Sequence, residues 1–266
     1  MKSEEFIKQQ ISAGYSIHSH DNVWWQKIAP FFYKPVLPLQ EIVPGVAKPK
    51  NSNLLLGYSH IISQEQSASK YWCIMLLDNE KLRNFSLTSL SSAKRARVRK
   101  GLKQNEIKRI ECIDAVIGDI KTICISQAVR TGHGKSPDYY NKHYTKWRAF
   151  MTREFSLPGR EWWGAFNHGV LGAYYYAYQI EDTMFISAAK SHSNYLTYCP
   201  NDALLFTFID YCRDRTDCKG VIFGDWSEAV SSLNDFKKKY GFEKTELPVY
   251  VRYNPAVRLL KRFIAR

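Results

Sequence analysis

Eight basic side chains crowd the stretch between residues 94 and 109, where Glu106 is the one acid. Arg95, Arg97 and Arg99 are the members of this run that we expect to bind a substrate. A basic patch of this density attracts phosphate, whether on a nucleotide cofactor, a nucleotide sugar or an RNA. The simpler interpretation is a solvated helix face, the usual role of a charge run. The sequence leaves both open.

A second candidate phosphate site surrounds the start of a predicted helix that follows Pro200. Backbone N–H groups in the first turn of a helix can hold an anion, and a lysine and a histidine shortly before the turn would add side-chain donors. A loop histidine is more often simply solvated. The residues expected to bind a cofactor here are Lys190, His192, Asp202, Ala203 and Leu204.

Asp225 ends a short apolar run at Gly224, and the ends of buried strands are where open α/β sheets present their active groups. Its carboxylate could orient an amine or accept its proton, although a polar residue there is also a common turn cap. Trp226 would then form a wall of the pocket. Tyr176 belongs to an alternating row of tyrosines that could line a substrate groove, while an aromatic strand face is usually core.

Composition excludes several classes of protein. The chain has 266 residues, 45% hydrophobic and 24% charged, with a net charge of +13, which is ample for a packed core. No window has the unbroken apolar length of a membrane span, and the acidic N-terminus does not look like a signal peptide. We expect a soluble, cytoplasmic protein whose six cysteines are free, buried thiols.

No sequence signature of hydrolysis or metal binding is present. The nucleophile-elbow, phosphate-loop and zinc-protease patterns are absent from the sequence. Neither His133 nor His143 has a partner at a metal-like spacing, so we expect no metal.

The chain divides into a poorly patterned and a well-patterned part. Prolines break residues 1–90, where only Asn53–Leu56 and Tyr71–Leu77 look like strands. We interpret this part as a reduced N-terminal α/β subdomain, followed by a main domain over 91–256 and a basic tail over 257–266. The main domain opens with a helix capped by Ser91.

Farther along the main domain, segments with the hydrophobic period of a helix alternate with segments that have the hydrophobic period of a strand. Turn residues, prolines and glycines separate the segments, and Gly241 suits a left-handed helix end. The predicted order is strand Ile107–Cys112, helices Val116–Val129 and Asp138–Phe155, strands Glu161–Phe166, Val170–Gln179 and Thr183–Ala189, helix Asn201–Arg213, strand Gly220–Gly224, helix Ser232–Tyr240 and strand Val249–Tyr253.

This order, together with two local motifs, resembles the GNAT-type acyltransferases in their Fem-type branch. The segments Phe223-Gly224-Asp225-Trp226 and Leu233-Asn234-Asp235-Phe236-Lys237-Lys238-Lys239-Tyr240-Gly241-Phe242 look like the family's "phenylalanine-lysine, then glycine-phenylalanine" region. The basic run from Ser91 to Lys100 is similar to the helix that precedes the second GNAT unit of Fem-type proteins. The resemblance covers about residues 88–256 and implies an α/β GNAT-like fold, a mixed central sheet flanked by helices.

The resemblance also implies an activity, the transfer of an acyl or aminoacyl group to an amine of a small molecule or peptide. It implies a catalytic cation at Lys237, which could stabilise the tetrahedral oxyanion or bind a substrate phosphate. The simpler interpretation is a solvated lysine in the last turn of a helix, like Lys238 and Lys239. Acyl-CoA is the expected donor. The stretch from Lys190 to Pro200 lacks the glycine-rich turn that cradles coenzyme A in many GNAT enzymes, so aminoacyl-tRNA is the alternative donor. A nucleic-acid-binding protein that has lost catalysis is the rival from another class.

Overall fold

The computed structural model describes residues 1–52, 56–255 and 257. Its helices are α1 (Ser3–Ser12), α2 (Asn79–Arg83), α3 (Ser92–Gln104), α4 (Ile117–Thr131), α5 (Pro137–Lys142), α6 (Tyr144–Ser156), α7 (Pro200–Asp214) and α8 (Ser231–Lys238), with a 3-10 helix at Ser193–Tyr198. Its strands are β1 (Ile17–His20), β2 (Val23–Ala29), β3 (Phe32–Pro35), β4 (Gly57–Ile61), β5 (Lys70–Leu77), β6 (Glu106–Arg109), β7 (Arg160–Asn167), β8 (Val170–Ile180), β9 (Thr183–Ser191), β10 (Gly220–Asp225) and β11 (Glu243–Tyr253).

Contacts group the chain into two compact units, Met1–Ile74 with Thr245–Arg266, and Met75–Lys244. The domain boundary near residue 90 that the sequence suggests stays a prediction. The suggested strand at 53–56 and the basic tail fall mainly outside the described residues. No helix among the described residues is long and apolar enough to cross a bilayer.

The first unit carries strands in the order β1-β2-β3-β4-β11. Neighbours are antiparallel except β3 and β4, which run parallel. Its small core surrounds Trp25, which is fully buried and packs edge-on against Tyr58 at 5.6 Å. Residues 36–52 and 56, the described part between β3 and β4, contain no α-helix, as the prolines there predicted.

The second unit carries strands in the order β10-β9-β8-β7-β6, all antiparallel except the parallel pair β9 and β10. Adjacent tryptophans show its two layers. Trp163 packs in the cluster that α7 covers, whereas Trp162 packs in the cluster that α4 covers. Alternation along a strand therefore places one on each face, and the α/β class with a mixed sheet between helices is confirmed.

Local details confirm some predictions and correct others. Ser91 caps α3, its Oγ accepting the Lys94 N–H at 3.4 Å. The single helix predicted over 138–155 is two helices, because the backbone of His143 leaves the helical region between α5 and α6. The predicted strand Ile107–Cys112 ends at Arg109, where its pairing with β7 stops. Cys112 is exposed, which corrects the expectation that all the thiols are buried.

The end of α8 follows the prediction closely. Gly241 has φ +89°, its N–H donates to the Lys238 carbonyl at 2.9 Å, and the Phe242 N–H donates to the Lys237 carbonyl at 3.4 Å. These two bonds form a Schellman cap. The cap turns the chain so that the Phe242 ring packs on Phe223 of β10, with the ring centres 5.7 Å apart. The position of α8 against β10 is thereby fixed.

Candidate functional site at the open end of β9 and β10

The parallel strands β9 and β10 separate near their carboxyl ends. Pairing joins Gly220–Ile222 to Thr183–Phe185, and among the described residues it goes no further, although β9 continues to Ser191 and β10 to Asp225. A bulge on the other side of β9 leaves Ser187 without a direct partner in the β8 register. The result is an opening at the carboxyl ends of two adjacent parallel strands, the position where open α/β sheets bind ligands.

Lys237 reaches this opening from α8. Its Nζ donates a hydrogen bond to the backbone carbonyl of Asp225 at 3.0 Å and lies 5.0 Å from the ring centre of Phe223. The residue is only 3% exposed, whereas its neighbours Lys238 and Lys239 are exposed. Successive helical residues point about 100° apart, so this helix turns one of its three lysines inward.

The buried position changes the acidity of Lys237. Burial lowers its pKa to about 8, and the nearby Asp225 charge partly opposes that shift. An amine with this pKa is roughly nine-tenths protonated at pH 7. Lys237 is therefore mainly a cation at neutral pH, but one that releases its proton more readily than a surface lysine. Its catalytic role stays a prediction.

The loop after β10 is held against α8 by Asn234, a residue that the sequence analysis did not single out. Asn234 is 2% exposed; its Oδ1 accepts the Ser227 N–H at 3.1 Å, and its Nδ2 donates to the Ser227 carbonyl at 2.7 Å. Its place directly before Asp235-Phe236-Lys237 in the motif was the available signal. These bonds fix the loop that carries Asp225 and Trp226.

Trp226 and Asp225 lie at the rim of the site. Asp225 is exposed, and Trp226 is half-buried, its indole Nε1 donating to Glu228 at 2.7 Å. Gly224 of β10 has φ +63°, and a Cβ there would lie 3.9 Å from the Lys237 Nζ. The structure therefore places Asp225, Trp226 and Lys237 in one cluster, as their predicted roles require.

A second buried lysine, Lys94 of α3, has a different environment. Its Nζ donates to Asp202 Oδ1 at 2.8 Å, while Arg97 donates to Oδ2 at 2.9 Å and 3.1 Å and the Tyr240 hydroxyl donates to Oδ1 at 2.9 Å. Asp202 is 2% exposed. Burial raises its pKa, but the hydrogen bonds from Arg97 and Lys94 outweigh burial and hold the pKa below its usual value. This network fastens α3 to α7.

The network changes the interpretation of two predicted phosphate-binding sets. Ala203 and Leu204 are fully buried, and a Cβ on Gly101 would come within 2.5 Å of the Cys199 carbonyl oxygen and 2.8 Å of the Ala203 Cβ. Because α3 packs directly on the first turn of α7, the anion site expected at residues 202–204 is covered. Cofactor binding by Asp202, Ala203 and Leu204 stays a prediction.

The three arginines of the basic helix also differ from one another. Arg97 is engaged with Asp202, and Arg95 donates to the Leu90 carbonyl at 2.6 Å. Arg99 is exposed, as are its neighbours Lys100 and Lys103. Arg97 is also about half exposed (52%) although it pairs with Asp202, and phosphate binding by the set stays a prediction.

Lys190 lies on the face of the sheet that α4 covers, and His192 directly follows β9. The Lys190 Nζ donates to Cys124 Sγ at 3.3 Å, and His192 Nδ1 accepts the Asn194 N–H at 3.2 Å, which caps the 3-10 helix. His192 and Arg130 also line an open groove of about 520 Å³ along α4. Their predicted cofactor contacts are untested.

Tyr176 is mostly buried, and its ring stacks on Trp162 with centres 4.5 Å apart. Ser187, the bulged residue of β9, donates to the Tyr176 hydroxyl at 2.9 Å. Burial raises the pKa of this hydroxyl. The tyrosine row is therefore largely core, the simpler of its two interpretations, while Tyr176 itself reaches the bulge beside the opening.

Comparisons with known proteins find similarity in structure alone. Neither a protein-family model nor a curated protein sequence matches the chain. The crystal structure of FemX covers 96% of this chain and 92% of its own, with TM-score 0.61 and 10% identity. The C-terminal domain of a protein assigned as lysylphosphatidylglycerol synthetase from Agrobacterium fabrum covers 97% and 95%, with TM-score 0.62 and 10% identity. L-PGS from Bacillus licheniformis covers 99% and 97%, with TM-score 0.53 and 12% identity.

The chain has the GNAT-type fold in its Fem-like form, as the motif order predicted. At identities near 10% this likeness concerns the fold. Fold by itself does not fix function, so function has to be argued from the residues of the site.

Proposed function

We propose that the protein is an acyltransferase that moves an acyl or aminoacyl group from an activated ester or thioester to an amine. The observation that carries this proposal is the buried ammonium of Lys237 at the open end of β9 and β10. Attack of an amine on an acyl carbonyl places negative charge on the carbonyl oxygen. A cation already fixed in a poorly solvated opening stabilises that charge without reorganising at the moment of reaction.

The contacts of Lys237 suit this role. An ammonium has three N–H donors, and the bond to the Asp225 carbonyl orients the group while using one of them. A substrate carbonyl oxygen can take another. The exposed Asp225 carboxylate, at the rim, is placed to accept a proton from an incoming ammonium and make it a nucleophilic amine. Trp226 supplies an apolar wall beside it.

The preferred donor is aminoacyl-tRNA. It is supported by the covered first turn of α7 and by the absence of glycine between Lys190 and Pro200, since both remove the usual cradle for a coenzyme A pyrophosphate. The exposed cations Arg99, Lys100 and Lys103 offer a surface for a phosphate backbone. The name of one similar structure refers to a lysylphosphatidylglycerol synthetase.

Acyl-CoA is the second candidate donor, and one observation favours it. Beyond residue 185 the edge of β9 that faces β10 is open, and its backbone groups can hydrogen-bond to the amides of an extended pantetheine chain. Either donor delivers its carbonyl to the same opening, so Lys237 has the same role in both cases. The acceptor is the amine of a small molecule or peptide.

A transfer assay tests the proposal. Labelled aminoacyl-tRNAs and acyl-CoA thioesters are each offered with amino sugars and lysine-containing peptides, and transfer of label is measured. Lys237→Met should lower kcat/KM by roughly tenfold to a thousandfold, the range for losing one preorganised donor. The matched Lys238→Met variant should stay within about twofold, because a lost surface charge costs little.

The same assay gives a pH profile. If the protonated form of Lys237 is the active one, kcat/KM should fall as the pH rises through its pKa of about 8. Equal activity of the two methionine variants would contradict the proposal. Salt-sensitive RNA binding without transfer from either donor would favour the non-catalytic alternative instead.

A further inference from the structure

The hairpin between β2 and β3 ends in an exposed apolar surface. Ile28 is 51% exposed and Phe31 is 56% exposed, with Ala29 and Pro30 also exposed between them. Leu56, 46% exposed, adjoins them, because its N–H donates to the Phe31 carbonyl at 2.9 Å. We call Ile28, Phe31 and Leu56 the apolar tip. Exposed apolar side chains that form one contiguous patch mark an interaction site.

The backbone holds the apolar tip in a definite conformation. Phe31 has φ +57°, a left-handed conformation that is unfavourable for a bulky residue. The register between β2 and β3 shifts between Lys27 and Ala29, so Ile28 is a bulged residue. The Phe31 carbonyl also accepts a second N–H, from Gly57 at 3.3 Å. The fold therefore keeps an aromatic ring outside the core in a backbone geometry that Asn or Gly would adopt more easily, and strained positions of this kind gather at functional sites.

Positive charge surrounds the apolar tip. The Lys27 ammonium lies 5.5 Å from the ring centre of Phe31, and Lys34 is exposed on the next strand. Asn254 adjoins the tip, because its N–H donates to the Leu56 carbonyl at 3.0 Å. The sequence that follows is rich in cations, with Arg258, Lys261, Arg262 and Arg266 and no acid over 257–266.

We propose that the apolar tip docks the protein on an anionic lipid bilayer. Apolar side chains flanked by lysines suit the boundary between acyl chains and charged headgroups, and the protein's net charge of +13 complements anionic lipid. A protein partner fits less well, since a stable protein interface needs about 800 Å² on each side and three side chains cover only part of that area. This inference does not depend on the proposed transferase activity.

Vesicle co-sedimentation of the full chain tests the inference. The vesicles contain phosphatidylcholine alone or with about one-third phosphatidylglycerol, an anionic lipid. The test variant combines Ile28→Ser with Phe31→Asn, because asparagine tolerates the left-handed backbone and should preserve the hairpin. The matched control combines Val170→Ser with Phe150→Ser, which removes one aliphatic and one aromatic side chain that are each 41% exposed in the other unit.

The expected result has three parts. The wild-type chain binds the anionic vesicles and binds neutral ones at least about tenfold more weakly, since charge contributes at each cation near the surface. The tip variant loses about tenfold or more of the anionic binding, with a melting temperature equal to or above that of the wild type. The control variant binds like the wild type.

Other outcomes would overturn the inference. Unchanged vesicle binding by the tip variant would show that the tip is not the contact. Equal losses in the tip and control variants would indicate general hydrophobic adsorption. Self-association in sedimentation velocity that the tip variant abolishes, without vesicle binding by the wild type, would assign the surface to a second copy of this chain.

Loss of transfer activity with vesicle binding intact, as expected for Lys237→Met, would separate a failure of the proposed function from a failure of this inference.

Discussion

Two buried lysines of the second unit show how differently one fold can surround a buried positive charge. Lys94 is bound to the Asp202 carboxylate, which Arg97 and Tyr240 also contact, within the interface of α3 and α7. Lys237 donates instead to a backbone carbonyl at the end of β10. A buried cation with a full counter-ion is already neutralised. A buried cation held mainly by a carbonyl dipole stabilises whatever negative charge arrives, and the lowered pKa of Lys237, about 8, expresses that difference.

The largest effect is expected from breaking the paired site. Asp202→Asn leaves Lys94 buried without its counter-ion, and removing one partner of a buried pair costs about 3–5 kcal/mol. Chemical denaturation should show a loss of that size, whereas Asp210→Asn, which removes a half-exposed ion pair with Arg213 on the same helix, should cost less than about 1 kcal/mol. A loss below about 1 kcal/mol for Asp202→Asn would mean that the two lysine sites do not differ as described.

The pH dependence of the paired site follows from the lowered pKa of Asp202. Its contribution to stability is present above the usual carboxyl pKa of 3.8 and is lost as the pH falls through the folded-state value. A double variant, Lys94→Met with Asp202→Leu, removes both charges and should recover part of the lost free energy of unfolding. If the double variant recovers no free energy of unfolding, the loss seen in Asp202→Asn comes from packing alone.

For Lys237 the expected change in the free energy of unfolding has the opposite sign. Folding lowers the Lys237 pKa from 10.5 to about 8, which corresponds to about 3 kcal/mol of unfavourable burial at neutral pH. Lys237→Met should therefore raise the free energy of unfolding by up to that amount while it lowers activity. Lys238→Met and Lys239→Met should change stability by less than about 0.5 kcal/mol, because both residues are exposed.

The sign of the pH effect at Lys237 can be checked separately. Between pH 8 and 10.5 the unfolded chain binds more protons than the folded one, so wild-type stability from this group rises with pH. The advantage of Lys237→Met should be full below pH 8 and should disappear toward pH 10.5. A constant advantage across that range would show that packing, and not charge, causes it.

The smallest of the three effects concerns the close approach of α3 and α7. Gly101→Ala places a Cβ against the backbone of Cys199 and the side chain of Ala203, and overpacking of this kind costs about 1–3 kcal/mol. Gly118 of α4 is the matched control, because a Cβ there meets nothing within 4 Å. Gly118→Ala should be neutral or stabilise by up to about 1 kcal/mol. Thermal or chemical unfolding distinguishes the two.

The sequence by itself predicted most of the second unit. Hydrophobic period, caps and turn residues located its helices and strands to within a few residues, because these signals are local. The motif around Phe236-Lys237 and Gly241-Phe242 also predicted the fold and selected one lysine out of three. The break at His143 was missed, since it depends on a single backbone conformation that no residue type signals.

Only the tertiary structure decided what surrounds each charged side chain. The run from Lys94 to Lys103 is uniformly basic in the sequence. Packing buries Lys94 and pairs Arg97 with Asp202, whereas Arg99, Lys100 and Lys103 form an exposed cluster. Tertiary packing also covers the first turn of α7 and brings Lys237 to the Asp225 carbonyl. Local sequence determines helix and strand because their hydrogen bonds are local, whereas burial, counter-ions and pKa depend on residues that are distant in the chain.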